Sequence, residues 1–203
     1  MTRRNFVHLS IALTASIFSL GAFAQASSVP RPALKVGDRW KIEEQDPMTK
    51  LVRSSTEELV VSVDADKIGM AFNGQLGTVT LDLTTLDNSR FSYDIGYQFL
   101  RFPLEVGKKW DFKTKWTVKQ SGNSGQSNFD VEVLSRESIS VPAGTFDALK
   151  IRAIGYMIAR GTWSVTMTYW YAPQAKRIVR AEWRDNKRDL DYNRQLVEYT
   201  LTE

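Results

Sequence analysis

The stretch Val141–Trp183 reads VPAGTFDALKIRAIGYMIARGTWSVTMTYWYAPQAKRIVRAEW, and its punctuation decides the fold. Leu149, Ile151 and Ala153 alternate with Lys150 and Arg152. Trp163, Val165, Met167, Tyr169 and Tyr171 alternate with Thr162, Ser164, Thr166, Thr168 and Trp170. A period of two marks strands with one covered and one wet face. Pro142-Ala143-Gly144 opens the first strand, Arg160-Gly161 separates it from the second, and Ala172-Pro173-Gln174 leads to a third at Ile178–Trp183. Three strands joined by short turns form an antiparallel meander.

The same pattern spreads in both directions. Lys109–Lys119 places Trp110, Phe112, Thr114, Trp116 and Val118 on one face and four lysines on the other. The Gly/Ser/Asn loop Ser121–Ser127 predicts a reversal into Asn128–Leu134, where Asp130 or Glu132 would pair with Lys113 or Lys115. Upstream, Glu58–Val63 predicts a strand with Leu59, Val61 and Val63 covered, followed by Ile68–Phe72, an Asn73-Gly74 hairpin turn and the alternating Val79, Leu81 and Leu83. Ser89–Ile95 is a short strand, and the last runs from Leu190 to Leu201 with Val197, Tyr199 and Leu201 inward. Apolar residues nowhere recur at helical spacing over a long segment. About ten to eleven strands predict an all-β, antiparallel, strongly curved sheet or half-open barrel. The heptapeptide L-x-V-G-x-x-W occurs at Leu34–Trp40 and Leu104–Trp110, and reads as one local device in which a turn glycine delivers an inward tryptophan.

Residues 1–26 have the three parts of an export signal: Arg3-Arg4, an apolar run from Ile11 to Phe23, and small residues around Ala22, Ala24 and Ala26. Thr2–Val7 also resembles a twin-arginine signal. Cleavage after Ala24 or Ala26 leaves one domain, 27–203, expected to be soluble and periplasmic, with no stable membrane insertion. Losing Arg3 and Arg4 leaves 25 basic against 23 acidic residues, a balance of +2 that gives no footprint for nucleic acid. There is no cysteine, so stability rests on the core.

The only histidine, His8, lies in the signal. Histidine- and cysteine-dependent catalysis, N/S zinc sites, haem and iron–sulfur clusters therefore lose their required side chains. No phosphate-binding glycine loop occurs. Glu43, Glu44, Glu132, Asp147, Glu182 and Glu198 are candidates for a glycosidase-type carboxylate pair, but as strand residues they read as solvated outer-face charges. No catalytic residue, metal or cofactor is assigned. What exceeds an ordinary β-core is the aromatic loading, with six tryptophans and seven tyrosines. Trp163, Tyr169 and Tyr171 share one face and Trp116 another, and these four are the candidate ligand-binding residues.

Val141–Ile151 (VPAGTFDALKI), Tyr169–Pro173 (YWYAP) and Phe102–Trp110 resemble a family of uncharacterised exported bacterial β-proteins. That family is similar in turn to the LolA/LolB-like half-barrel lipoprotein carriers, in which a curved antiparallel sheet wraps an apolar cavity. The resemblance implies a non-catalytic periplasmic binding or carrier protein whose partner is a hydrophobic or amphipathic, lipid-like molecule or a lipidated protein. The residues leave open a carbohydrate-binding or glycan-active protein built on tryptophan platforms, and a cell-envelope interaction module that pairs an edge strand.

Overall fold

A computed structural model describes residues 28–186 and 192–203; the expected signal, 1–26, lies outside them. Twelve strands follow one another in chain order: β1 (Arg39–Gln45), β2 (Val52–Val63), β3 (Lys67–Phe72), β4 (Gln75–Thr80), β5 (Thr85–Asp87), β6 (Phe91–Tyr93), β7 (Lys109–Val118), β8 (Ser124–Val141), β9 (Gly144–Ile158), β10 (Thr162–Ala172), β11 (Arg177–Asp185) and β12 (Tyr192–Thr200). Each pairs antiparallel with the next, and β12 pairs back onto β1, with Arg39 opposite Thr200 and Gln45 opposite Asn193. The expected half-open barrel of ten to eleven strands is thus a closed barrel of twelve. The extra strand, β5, has only three residues, too few for periodicity to reveal. Closure depends on pairing the first strand with the last, for which local sequence carries no signal.

The inner faces of β7 to β10 follow the alternation. Trp110 pairs with Val131, Phe112 with Phe129, Phe129 with Gly155 and Gly155 with Val165. Large rings lie over inward glycines on the neighbouring strand: Trp116 over Gly125 and Phe129 over Gly155. At these two positions glycine supplies the space that the ring on the neighbouring strand occupies.

Two expected faces are reversed or shifted. In β2 the covered residues are Glu58 and Val60, while Leu59, Val61 and Val63 face water. The run Leu59-Val60-Val61 is apolar on both parities, and Glu58 turns inward because Arg177 meets it at 2.6 Å and 2.8 Å. In β12 a bulge between the pairs Lys41–Glu198 and Ile42–Leu196 takes up Val197, so Tyr192, Arg194 and Leu196 share the inner side with Tyr199. The ion pairing also differs: Lys113 faces Asn128 and Lys115 faces Gln126, while Glu132 binds Lys109 and Arg152, each at 3.1 Å.

The repeated heptapeptide builds the same corner before β1 and β7. Gly37 and Gly107 have φ of 96° and 88°, their N–H groups donate to Val60 and Val133, and Trp40 and Trp110 donate through Nε1 to the carbonyls of Ala175 and Gln98, both at 2.7 Å. Only a residue tolerant of positive φ turns the chain this way cheaply.

One end of the barrel is stoppered. Val29 and Leu104 exchange backbone hydrogen bonds there, and Leu34, Leu100 and Leu104 are buried. The β6–β7 connection enters the lumen from the same end, setting the Phe99 ring against Tyr169 at 4.8 Å, Phe112 at 5.4 Å and Phe129 at 5.5 Å.

Candidate ligand-binding lumen

Opposite the stopper, toward the end carrying the β1–β2, β9–β10 and β11–β12 connections, the inward side chains are aromatic and only half-buried. Tyr93, Tyr97, Phe99, Trp116, Trp183 and Tyr192 all belong to this group. Pairing fixes their direction: Trp183 lies opposite Met167, which is fully buried, and Tyr192 lies opposite Trp183. These rings face inward yet remain partly accessible at this end of the barrel, and Tyr97, Phe99 and Trp183 pack against the core beneath. Trp183 and Tyr192 stack at 5.5 Å, Tyr93 meets Tyr97 edge-on at 5.4 Å, and Tyr97 stacks on Phe99 at 5.3 Å. Tyr97 Oη and Ser127 Oγ are 3.0 Å apart.

A charged pair sits among these rings. Arg194 Nε donates to Glu44 Oε2 at 3.0 Å, and its guanidinium lies 4.7 Å from the Tyr192 ring. The Arg194 side chain is 51% exposed although it faces inward, and among the described residues its two terminal nitrogens have no partner. Burial works against its charge, but Tyr192 and Glu44 outweigh that and hold its pKa above the ordinary value. Burial pushes the Tyr93 phenol up to about 12 and also raises those of Tyr97, Tyr169 and Tyr192. Around neutral pH the lumen therefore presents neutral phenols beside the Arg194–Glu44 ion pair. Ile42, Leu83, Leu100, Tyr169 and Ala181, together with Arg177, Arg180, Arg194 and Gln195, wall a recess of about 150 Å³ at β11–β12.

The four residues singled out from sequence are dispersed along this axis. Trp116 lies in the aromatic group, half-buried, its indole nitrogen enclosed without a hydrogen-bond partner among the described residues. Trp163 is inward and buried near the same end, on the pair Trp163–Met157. Tyr169 forms part of the floor against Phe99. Tyr171 is 1% exposed at the stoppered end, beneath the Phe102 ring at 5.2 Å. The sequence reading missed Tyr192 and Arg194, and it took Glu44, a carboxylate-pair candidate, for an outer-face charge. Its usable signal was a charge on the parity that Tyr192 and Leu196 share, hidden by the bulge at Val197.

Of the carboxylates considered for glycan chemistry, Glu132, Asp147 and Glu182 bind basic partners on the outer wall, and Glu44 binds Arg194 within. Lys109 and then Arg152 hold Glu132 below its usual range, and Arg136 does the same for Asp147. Trp170, on the wet parity of β10, is only 6% exposed. Lys150 and Arg180 approach its ring at 5.2 Å and 5.3 Å, and its Nε1 donates to Glu137 at 2.7 Å. With cations against it, this indole is not an open platform for a sugar.

The fold is a closed antiparallel barrel with a side-chain-filled base and an aromatic mouth. The backbone fold alone is shared with a protein of Parabacteroides distasonis described as a lipoprotein, at a TM-score of 0.62 and 16% identity over 86% of this chain and 100% of that one. A Bacteroides fragilis protein described as exported, with a YmcC-like fold, gives 0.58 and 16% over the same shares. The hypothetical lipoprotein YmcC of Escherichia coli gives 0.53 and 7%, over 82% of this chain and 86% of that one. At these identities the likeness is one of fold. No protein-family model matches the chain, and no curated protein matches it in sequence. No helix among the described residues is long and apolar enough to cross a membrane.

Proposed function

We propose that the chain is a non-catalytic, exported binding protein of the periplasm that holds an apolar or amphipathic, lipid-like molecule in the aromatic mouth of its barrel. The observation that carries this reading is Arg194, half-exposed on an inward wall of half-buried rings and held by Glu44 through Nε alone, which leaves the rest of its guanidinium facing the lumen. A cation there suits the anionic head of an amphiphile whose apolar body lies against Trp116, Trp183, Tyr192 and the Tyr169–Phe99 floor. The recess is smaller than the roughly 300–1,000 Å³ typical of ligand sites, so only the end of a chain would enter it. Trp163 is a buried part of the same inner wall, and Tyr171 belongs to the packed base. From the carrier resemblance the proposal keeps the curved wall around an apolar space. Here the β6–β7 connection fills the base, where the carriers use helices.

The test is titration with a fluorescent fatty-acid probe. Saturable uptake, weakened about tenfold by Arg194→Ala and by Trp183→Ala but not by Trp170→Ala, is expected. Absence of uptake by a well-folded wild type, or loss of affinity only in Trp170→Ala, overturns the proposal.

A further inference from the structure

The β1–β2 hairpin rises at the mouth end of the barrel and carries the most exposed large apolar side chain among the described residues. Met48 is 91% exposed, Leu51 69% and Val52 52%. They are not the accident of a loose loop. Asp46 Oδ1 accepts from the backbone N–H groups of Met48 and Thr49 at 2.9 Å and 2.8 Å, and Arg53 binds the other carboxylate oxygen. The Asp46 N–H donates to the Leu51 carbonyl and the Lys50 N–H to that of Asp46, both at 2.9 Å. These bonds, the first being that from Thr49, hold the Asp46 carboxyl down at about 2. The loop is thus an ordered scaffold that keeps apolar groups in water, a cost with no return inside this fold.

The hairpin also stands clear of its neighbour. β3 ends at Phe72, opposite Glu58, and Asn73 caps the β2 edge by accepting from Glu57 N–H at 2.7 Å and donating to the Ser55 carbonyl at 3.2 Å. Beyond that cap β2 runs on to Val52 with β1 as its partner. Charge is uneven between the two ends. Among the described residues, the mouth-end connections themselves carry Lys50, Arg90, Lys119 and Arg160 against Asp46, whereas the connections and termini at the stoppered end carry more acidic than basic residues.

We propose that the tip of this hairpin, from Asp46 to Arg53, docks the mouth of the barrel onto an anionic lipid bilayer, with Met48 and Leu51 entering the interface. Two or three apolar side chains are far too few for a stable protein interface, which takes about 800 Å² from each partner. They suffice for a bilayer when cations beside them add attraction to acidic head groups. The inference concerns a surface outside the lumen and is tested without any lumen ligand. Vesicle binding and probe uptake can therefore fail separately.

The experiment is co-sedimentation of the full chain with vesicles of phosphatidylglycerol in phosphatidylcholine and with phosphatidylcholine alone. Binding to the acidic vesicles that falls with salt is expected. Loss of about tenfold or more in Met48→Ser/Leu51→Ser, at an unchanged thermal midpoint, is also expected. A polarity-sensitive dye on Met48→Cys should report an apolar environment with vesicles, and the same dye on Leu76→Cys, on the outer wall, should not. Failure of wild type to bind acidic vesicles overturns the proposal. So does binding that the double variant leaves intact.

Discussion

Gly155→Ala tests the packing of rings over inward glycines. A β-carbon built on Gly155 lies 1.9 Å from the Asn128 carbonyl oxygen and 2.7 Å from Cδ1 of Phe129. Ordinary contacts of this kind are well above 3 Å, so β8 and β9 must part by more than an ångström along their long shared ladder, or the Phe129 ring must leave its place. Adding a methyl group to a close-packed core costs about 1–3 kcal/mol. Because the closest obstacle is backbone, the upper end applies, and we expect about 3 kcal/mol. With a urea dependence of about 2 kcal/mol per molar, the denaturation midpoint should fall by about 1.5 M. Gly107→Ala is the contrast: nothing lies within 4 Å of the added carbon, and only its φ of 88° is unfavourable, so a loss of about 1 kcal/mol is expected. Equal midpoints for wild type and Gly155→Ala would refute the idea that glycine makes room for rings on the inner wall.

Three other predictions follow from local chemistry. Gly144 has φ of 133° and open space around it, so Gly144→Val should cost more than about 1 kcal/mol in urea through backbone strain alone, while Lys115→Ala on the wet face should change stability by less than about 0.5 kcal/mol. Glu58→Gln should cost about 3 kcal/mol by leaving the Arg177 charge enclosed against Trp40, and Glu58→Leu with Arg177→Met should be milder than the single change; the reverse order would contradict the pairing. Burial opposes the charge of Asp38, but hydrogen bonds from Thr202, Lys35 and Lys176 prevail and lower its pKa from 3.8. A lowered folded pKa gives stability that is complete above about pH 4 and drains away as pH falls through the folded value. The wild-type thermal midpoint should therefore drop more steeply below about pH 4 than that of Asp38→Asn.

Legibility in the sequence varied with physical cause. β7 and β10 were readable because their apolar and polar residues alternate strictly against one buried and one wet face. β2 misled because Leu59, Val60 and Val61 satisfy either parity, and because a charged Glu58 is assigned outward by default until Arg177, more than a hundred residues away, supplies its partner. A single bulge at Val197 reversed the reading of the last strand and with it concealed Arg194. Aromatic excess pointed correctly to an inward face bearing Trp163 and Tyr169. Which rings stay accessible depends on how deeply the Gly96–Pro103 connection enters the lumen, and its composition shows only that it is aromatic.

The central claim, that the mouth holds an amphipathic molecule, is tested most directly by native mass spectrometry of protein purified gently from the periplasm. The account predicts a population heavier than the bare chain by the mass of one lipid-like molecule. That mass should be released by collisional activation and reduced or lost in Arg194→Ala and Trp183→Ala. A bare wild-type mass, together with no uptake of a fatty-acid probe by the same sample, would contradict it.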